Sequence, residues 1–400
     1  MSVPVPLSSC PSNKDLHCFA GEDQVVFFHL YITDDCNLAC RYCRGKLFDL
    51  EEEEESGLLP DIEVYLPVEF DRSLKAPLYR FLAADQNPVL TFIGGEPLLM
   101  RDLICEIMDE APCHRFMLQT NGILLDRMPD AYRNRFETIL ISIDGDEATT
   151  DHNRGEGVYR TVLENARLLR KEGFDGEMIA RMTMDEETAI ADSVLHLASL
   201  EDSPFTSIHW QMDANFSGDY GRRHFAEWAG GNYNRGISSL IDHWVSHMQS
   251  DGDVLRWYPF LQTTEDLLLN KPSGLRCGSG VTNFTIQTDG SIIPCPIMIG
   301  MNEYLLGDIR SADPTRLSEV RPLHPCTGCS IAEFCGGRCL YSNIVRPWPD
   351  EGRDAVCSTI HHLRQELLRH LPKIQHLIDE GIIDYSSFVH TRYNGCEIIP

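Results

Sequence analysis

From Val25 the chain reads VVFFHLYIT, nine residues that are β-branched, aromatic and almost wholly apolar. A run of this kind predicts a strand covered on both faces, as in a parallel sheet. Shorter apolar segments follow at helix-sized intervals, at residues 89–93, 115–119, 138–143, 178–183 and 207–212. The stretches between them, such as 103–110, 159–171 and 193–200, suit helices. Strands alternating with helices in this way predict parallel β/α units with right-handed crossovers, either an open doubly wound sheet or a partial barrel. Polar motifs sit just past four of the strand ends: Cys36, then Gly94-Gly95-Glu96-Pro97, then Thr120-Asn121-Gly122, then Asp144-Gly145. Parallel α/β architectures bind ligands at the carboxyl ends of their strands, so the motifs point to one shared site.

The pattern changes toward the C-terminus. Residues 217–270 turn helical, with pieces at 237–248 and 265–270, and read as a connector. After Gly274 the composition shifts to Cys, Gly and Pro, with a hairpin expected at 283–294 whose turn is Thr288-Asp289-Gly290. Residues 359–379 form an amphipathic helix whose His361-His362 pair reads as part of its polar face. Residues 1–23, with Pro4, Pro6 and Pro11 and no periodicity, read as an irregular arm, and the glutamate run within 49–55 reads as a solvated loop. The resulting division is an arm at 1–23, a β/α core at 24–235, a connector at 236–274, a metal-stapled Cys-rich domain at 275–360, and a helix and tail at 361–400.

Charge narrows the function classes. The 61 Asp and Glu outnumber the 34 Lys and Arg, giving a formal charge of -27, which repels phosphate backbones and anionic membranes. Neither nucleic acid nor a membrane is expected as a partner. Without a secretory h-region or a long apolar run, the expected compartment is the cytoplasm. Fifteen cysteines are then too many for a reducing compartment unless most of them bind metal.

Cys36, Cys40 and Cys43 give the spacing C-x3-C-x2-C, three soft thiolates on one loop at the end of a buried strand. A cubane iron-sulfur cluster held by three thiolates keeps one iron open to an exogenous ligand. A zinc site using the same sulfurs plus a distant donor remains the alternative. The run Cys36-Asn37-Leu38-Ala39-Cys40-Arg41-Tyr42-Cys43, followed by Gly94-Gly95-Glu96-Pro97, resembles the radical SAM superfamily over residues 24–220. The resemblance implies that Cys36, Cys40 and Cys43 ligate a 4Fe-4S cluster whose fourth iron is chelated by S-adenosyl-L-methionine. It also implies that Tyr42 lies beside the adenine and that Gly94, Gly95 and Glu96 approach the methionine amino group. Ser142 and Asp144 match the SAM-contacting strand end more loosely, and Arg154 and Arg181 are candidates for the SAM carboxylate. The implied chemistry is reductive cleavage of the sulfonium to a 5'-deoxyadenosyl radical that abstracts hydrogen from an unactivated carbon.

The second constellation is Cys277, twelve residues, Gly290, four residues and Cys295, then Cys326-x2-Cys329-x5-Cys335-x3-Cys339 and Cys357. This spacing is similar to the SPASM extension of radical SAM enzymes. By that resemblance Cys326, Cys329, Cys335 and Cys357 hold an outer auxiliary 4Fe-4S cluster, and Cys277, Cys295 and Cys339 hold an inner one, making three clusters with the first. Some relatives have a further cysteine upstream, and residues 271–276 contain none. An open iron in the inner cluster is therefore expected, with closure by Cys396 or an arm cysteine as the alternative. Cys105 and Cys113 read as structural thiols.

The fold expected is a partial (β/α)6 TIM-like barrel of α/β class with a C-terminal SPASM domain. The domain pair resembles peptide-modifying maturases of methanogens and other anaerobes. The function this implies is hydrogen abstraction from a ribosomally made precursor peptide to form a thioether or carbon-carbon cross-link, with a ferredoxin or flavodoxin as electron donor. Formylglycine formation, as in anaerobic sulfatase maturases, is the enzymatic alternative, and a zinc-stabilised scaffold the non-enzymatic one. No motif identifies a proton acceptor among candidates such as Asp213 and Glu333.

Overall fold

In the computed structural model the described residues are 25–43, 66–392 and 394. The arm with Cys10 and Cys18, the glutamate run and Cys396 lie outside them. The expected strands form as β1 (Phe27–Thr33), β2 (Val89–Gly94), β3 (Arg115–Thr120), β4 (Phe136–Ser142), β5 (Glu177–Met184) and β6 (Ser207–Met212). They run parallel in the order β6-β5-β4-β3-β2-β1, each strand beside its sequence neighbour. This is the partial barrel of the two architectures the sequence allowed.

Helices close the outer face: α1 (Lys75–Leu82), α2 (Arg101–Glu110), α3 (Glu147–Arg154), α4 (Val158–Lys171) and α5 (Ile190–Ala198). Leu103, Ile104 and Ile107 of α2 and Val162, Ala166 and Leu169 of α4 are buried in one continuous core with the outward residues of the strands. Their spacing is the apolar stripe of an amphipathic helix. On the inner face, Phe27, Val89, Met117, Leu140 and Ile179 pack with Tyr258 into an apolar floor. Above that floor the inward positions become polar.

The connector contains α6 (Asn234–Asp251) and α7 (Tyr258–Leu269). Helix α7 begins seven residues before the segment expected from sequence: Tyr258 through Asp266 are all buried, and the polar run Gln262 to Asp266 interrupts any apolar stripe that would mark a period. The hairpin forms as β7 (Asn283–Ile286) and β8 (Ser291–Ile293), followed by β9 (Gly307–Asp308). Strand β7 pairs in parallel with β1, Phe27 opposite Asn283, so the Cys-rich segment extends the sheet of the β/α core to nine strands. The C-terminal helix α8 (Asp350–Asp379) starts nine residues earlier than expected and carries Cys357. His362 of its paired histidines shares a 2.9 Å hydrogen bond with Ser238 of α6. No helix among the described residues is long and apolar enough to cross a membrane.

Candidate active site

A cavity of about 450 Å³ opens at the carboxyl ends of the strands. The size suits a small-molecule or cofactor site. Its wall includes Cys36, Cys40 and Cys43 on one side and Cys277, Cys295 and Cys339 on the other. The first three follow β1 directly. The other three come from the loop before β7, the segment just past β8 and the residue before the helical turn at 340–345.

The loop carrying Cys36, Cys40 and Cys43 is held by the backbone of the Gly-Gly motif. Gly95 N–H donates to the Thr33 carbonyl and Glu96 N–H to the Asp35 carbonyl, both at 2.8 Å. A Cβ on Gly95 would lie 2.4 Å from the Asp35 carbonyl oxygen, and one on Gly94 2.2 Å from that of Thr33. Glycine is therefore demanded here by strand-to-loop approach, and the freed backbone faces the cavity. Asn121, from the third motif, donates to the Cys36 sulfur at 3.7 Å, and Leu38 N–H donates to it at 3.4 Å.

Of the residues expected to contact S-adenosylmethionine, Tyr42, Gly94, Gly95, Ser142, Arg154 and Arg181 line the cavity. Glu96 and Asp144 stand behind its wall. The Glu96 carboxylate accepts from Leu98 N–H at 3.0 Å, from the Thr120 hydroxyl at 2.8 Å and from Asn121 N–H at 2.8 Å. Burial raises its pKa to about 7 against those three donors. It ties the second and third motifs together. Asp144 accepts both Nε and Nη2 of Arg154, Thr183 N–H at 3.0 Å, and the Tyr42 hydroxyl. Burial pulls the Arg154 guanidinium down, but the Asp144 carboxylate more than offsets this and keeps it charged. Arg181 meets the side-chain carbonyls of Gln119 and Gln211.

The thiols sort into three sets. Burial raises the Cys40 thiol, and Cys43 and Cys36 add to the effect. Cys295 is raised by burial, with Cys339 and Cys277 adding to it. Cys335 is pushed up to about 11 by burial, with Cys326 and Cys357 adding to it, and Cys357 in turn feels Cys326 and Cys329. The last set lies away from the cavity, between the turn at 326–328, the turn at 332–335 and α8. Thus Cys277, Cys295 and Cys339 are brought together, and so are Cys326, Cys329, Cys335 and Cys357. All twelve cysteines of the described residues are free thiols, Cys105 and Cys113 among them. No three Cys, His, Asp or Glu side chains in these residues crowd closely enough to hold a single metal ion. A zinc tetrahedron with bonds of about 2.3 Å needs that crowding, whereas a four-iron cluster takes one thiolate per iron. The donors and their spacing suit clusters.

Sequence reading missed the polar layer of the cavity just above its apolar floor. His29, buried on β1, accepts the Asn283 Nδ2 hydrogen at Nε2 over 3.1 Å, which leaves the proton on Nδ1. Burial and Arg181 hold its pKa down at about 3, so the imidazole is neutral. The signal was present in principle, a polar residue at an inward position of an otherwise apolar strand. Asp213 reaches the cavity past the end of β6, paired with Arg223 at 3.4 Å, while Glu333 is exposed on the turn at 332–335 and does not line it.

Residues 30–195 match the model of the radical SAM superfamily. A cysteine-type anaerobic sulfatase-maturating enzyme of Clostridium perfringens is 24% identical over 338 residues, covering 77% of this chain and 86% of that protein. The structure of native anSMEcpe with bound AdoMet and Cp18Cys peptide superposes with a TM-score of 0.65 at 16% identity, covering 88% of this chain and 99% of that one. Streptococcus suis SuiB bound to precursor peptide SuiA gives 0.51 at 14% identity, over 80% and 73%. These likenesses in structure extend to the fold. With its cysteine loop at the end of β1 inside the matching segment, the chain carries a radical SAM domain over residues 30–195.

Proposed function

We propose that this enzyme modifies a peptide, with S-adenosylmethionine and a cluster on Cys36, Cys40 and Cys43 at one wall of the cavity and an auxiliary cluster on Cys277, Cys295 and Cys339 at the other. The observation that carries this reading is that both sets of thiols border one cavity. When bound, the cofactors supply the 5'-deoxyadenosyl radical and an electron acceptor. The chain's own residues hold and shield them. Tyr42, Gly94, Gly95 and Ser142 offer a surface for the adenosyl and methionine groups, and Arg154 and Arg181 offer positive charge for a carboxylate. The apolar floor seals the barrel from below, which keeps water from the reacting centre. Asp213, at the cavity edge, is placed to take the proton that leaves with an oxidised substrate carbon. Cys326, Cys329, Cys335 and Cys357 hold a third cluster away from the cavity, suited to passing an electron from the inner cluster to a partner such as a ferredoxin or flavodoxin.

Two products are compatible with this site. A relative of this chain is a sulfatase-maturating enzyme, and a structural neighbour was solved with a precursor peptide. We infer a thioether or carbon-carbon cross-link, with conversion of a cysteine or serine to formylglycine as the second reading.

The test is anaerobic incubation of the reconstituted full chain with S-adenosylmethionine and dithionite. Release of 5'-deoxyadenosine, abolished by Cys40→Ala, is the expected result. None from the unaltered protein would overturn the reading. Candidate peptides encoded beside the gene, added to the same mixture, should show a mass loss of about two hydrogens for a cross-link. A cysteine peptide whose sulfur is replaced by aldehyde oxygen would identify formylglycine formation.

A further inference from the structure

Between Cys277 and β7 the chain makes a tight turn, Gly278-Ser279-Gly280, whose two glycines both take positive φ, 74° and 72°. The left-handed conformation is open to glycine without strain. Gly280 is also pressed against its surroundings, since a Cβ there would lie 2.6 Å from the Val320 carbonyl oxygen. Its N–H donates to the Pro294 carbonyl at 3.0 Å, one residue before Cys295. The turn thereby fixes Ser279 between the chain segments that carry Cys277 and Cys295.

The Ser279 side chain is 6% exposed and lines the cavity. Its Oγ lies 3.2 Å from the Cys277 sulfur. The hydroxyl thus touches a thiol of the inner set directly. The closeness is that of a hydrogen bond; two ligands on separate iron corners of a cubane stand farther apart. While the thiols are protonated the sulfur donates. As a thiolate Cys277 has no hydrogen to give, so in its contact with Ser279 the hydroxyl rotates to donate.

We propose that Ser279 is a positioning residue that raises the reduction potential of the inner cluster by donating its hydroxyl hydrogen to the Cys277 thiolate. Reduction adds negative charge, which the cluster shares with its sulfur ligands. A donor aimed at those sulfurs stabilises the reduced state more than the oxidised one. A buried donor, shielded from water, does this more strongly than an exposed one. The effect suits a cluster that must accept an electron from a substrate radical. This proposal rests on the reading that Cys277, Cys295 and Cys339 hold a cluster.

The experiment is an anaerobic potentiometric titration followed by electron paramagnetic resonance, on the full chain and on Ser279→Ala, Ser279→Thr and Cys277→Ala. The inner cluster is identified as the signal lost in Cys277→Ala. Expected are unchanged iron and sulfide content in both serine variants, a lower midpoint potential for that signal in Ser279→Ala, and its return in Ser279→Thr, which keeps the hydroxyl. An unchanged midpoint in Ser279→Ala overturns the proposal, as does loss of iron in Ser279→Ala that Ser279→Thr repairs, since the hydroxyl would then serve assembly and not potential. If Cys277→Ala has the iron content and spectrum of the unaltered protein, the cluster assignment itself has failed, a different result from failure of the serine.

Discussion

Arg154 reaches Asp144 with two nitrogens, Nε at 2.9 Å and Nη2 at 2.8 Å, and the pair is almost wholly buried at the edge of the cavity. The arginine comes from the last turn of α3 and the aspartate from the end of β4. Asp144 fixes the guanidinium, and Arg154 stacks over the Tyr42 ring at 5.4 Å, so the end of β4 and the cysteine loop are clamped by one ion pair.

Asp144→Asn should therefore act through Arg154. Removing one partner of a buried pair costs about 3–5 kcal/mol. The expected outcome is a marked drop in the unfolding midpoint together with weaker S-adenosylmethionine binding by calorimetry. Unchanged stability would show that the pair is not buried in solution.

The Gly-Gly motif offers a contrast between two glycines. Gly95→Ala places a methyl 2.4 Å from the Asp35 carbonyl oxygen and must displace the cysteine loop, whereas Gly221 has nothing within 4 Å. Reconstituted Gly95→Ala should retain less iron than the unaltered chain, by roughly the four irons of one cluster. Gly221→Ala should retain all of it. Colorimetric iron assay checks both.

The neutral His29 gives a pH dependence. Its folded pKa, about 3, lies below the ordinary histidine value, so the stability it allows is fully present above about 6.5 and is lost as pH falls toward 3, where the unfolded chain takes up the proton first. Between pH 6.5 and 5 the loss is about 2 kcal/mol. Anaerobic urea unfolding should show this slope as the difference between the unaltered protein and His29→Gln, the variant being flatter. Parallel pH profiles would place His29 in contact with water.

Asp213→Asn separates cofactor cleavage from substrate oxidation. Loss of a general base costs about a hundredfold. Modified peptide should fall by that factor while 5'-deoxyadenosine is still released. Equal loss of both would move Asp213 from proton acceptor to structural partner of Arg223.

Periodicity located every barrel strand to within two residues because a strand buried on both faces must be apolar throughout, and Ser207–Met212 forms with the bounds expected. It failed on α7 because the polar run Gln262 to Asp266 is buried there and breaks the apolar stripe. The cysteine spacings were legible because three sulfurs on one short loop stay neighbours whatever the chain does elsewhere. Glu96 was legible as part of a motif but its tie to the third motif was not, since the donors Thr120 and Asn121 lie a strand away.

The sequence by itself determined the parallel β/α units, the cysteine loop at the first strand end and the polar motifs past the next three, because these follow from local periodicity and short spacings. Only the tertiary structure decided that β7 continues the barrel sheet beside β1, and that Cys277, Cys295 and Cys339 border the same cavity as Cys36, Cys40 and Cys43. Those relations join residues far apart in the chain. They are set by which surfaces bury against one another, and no spacing along the sequence encodes that.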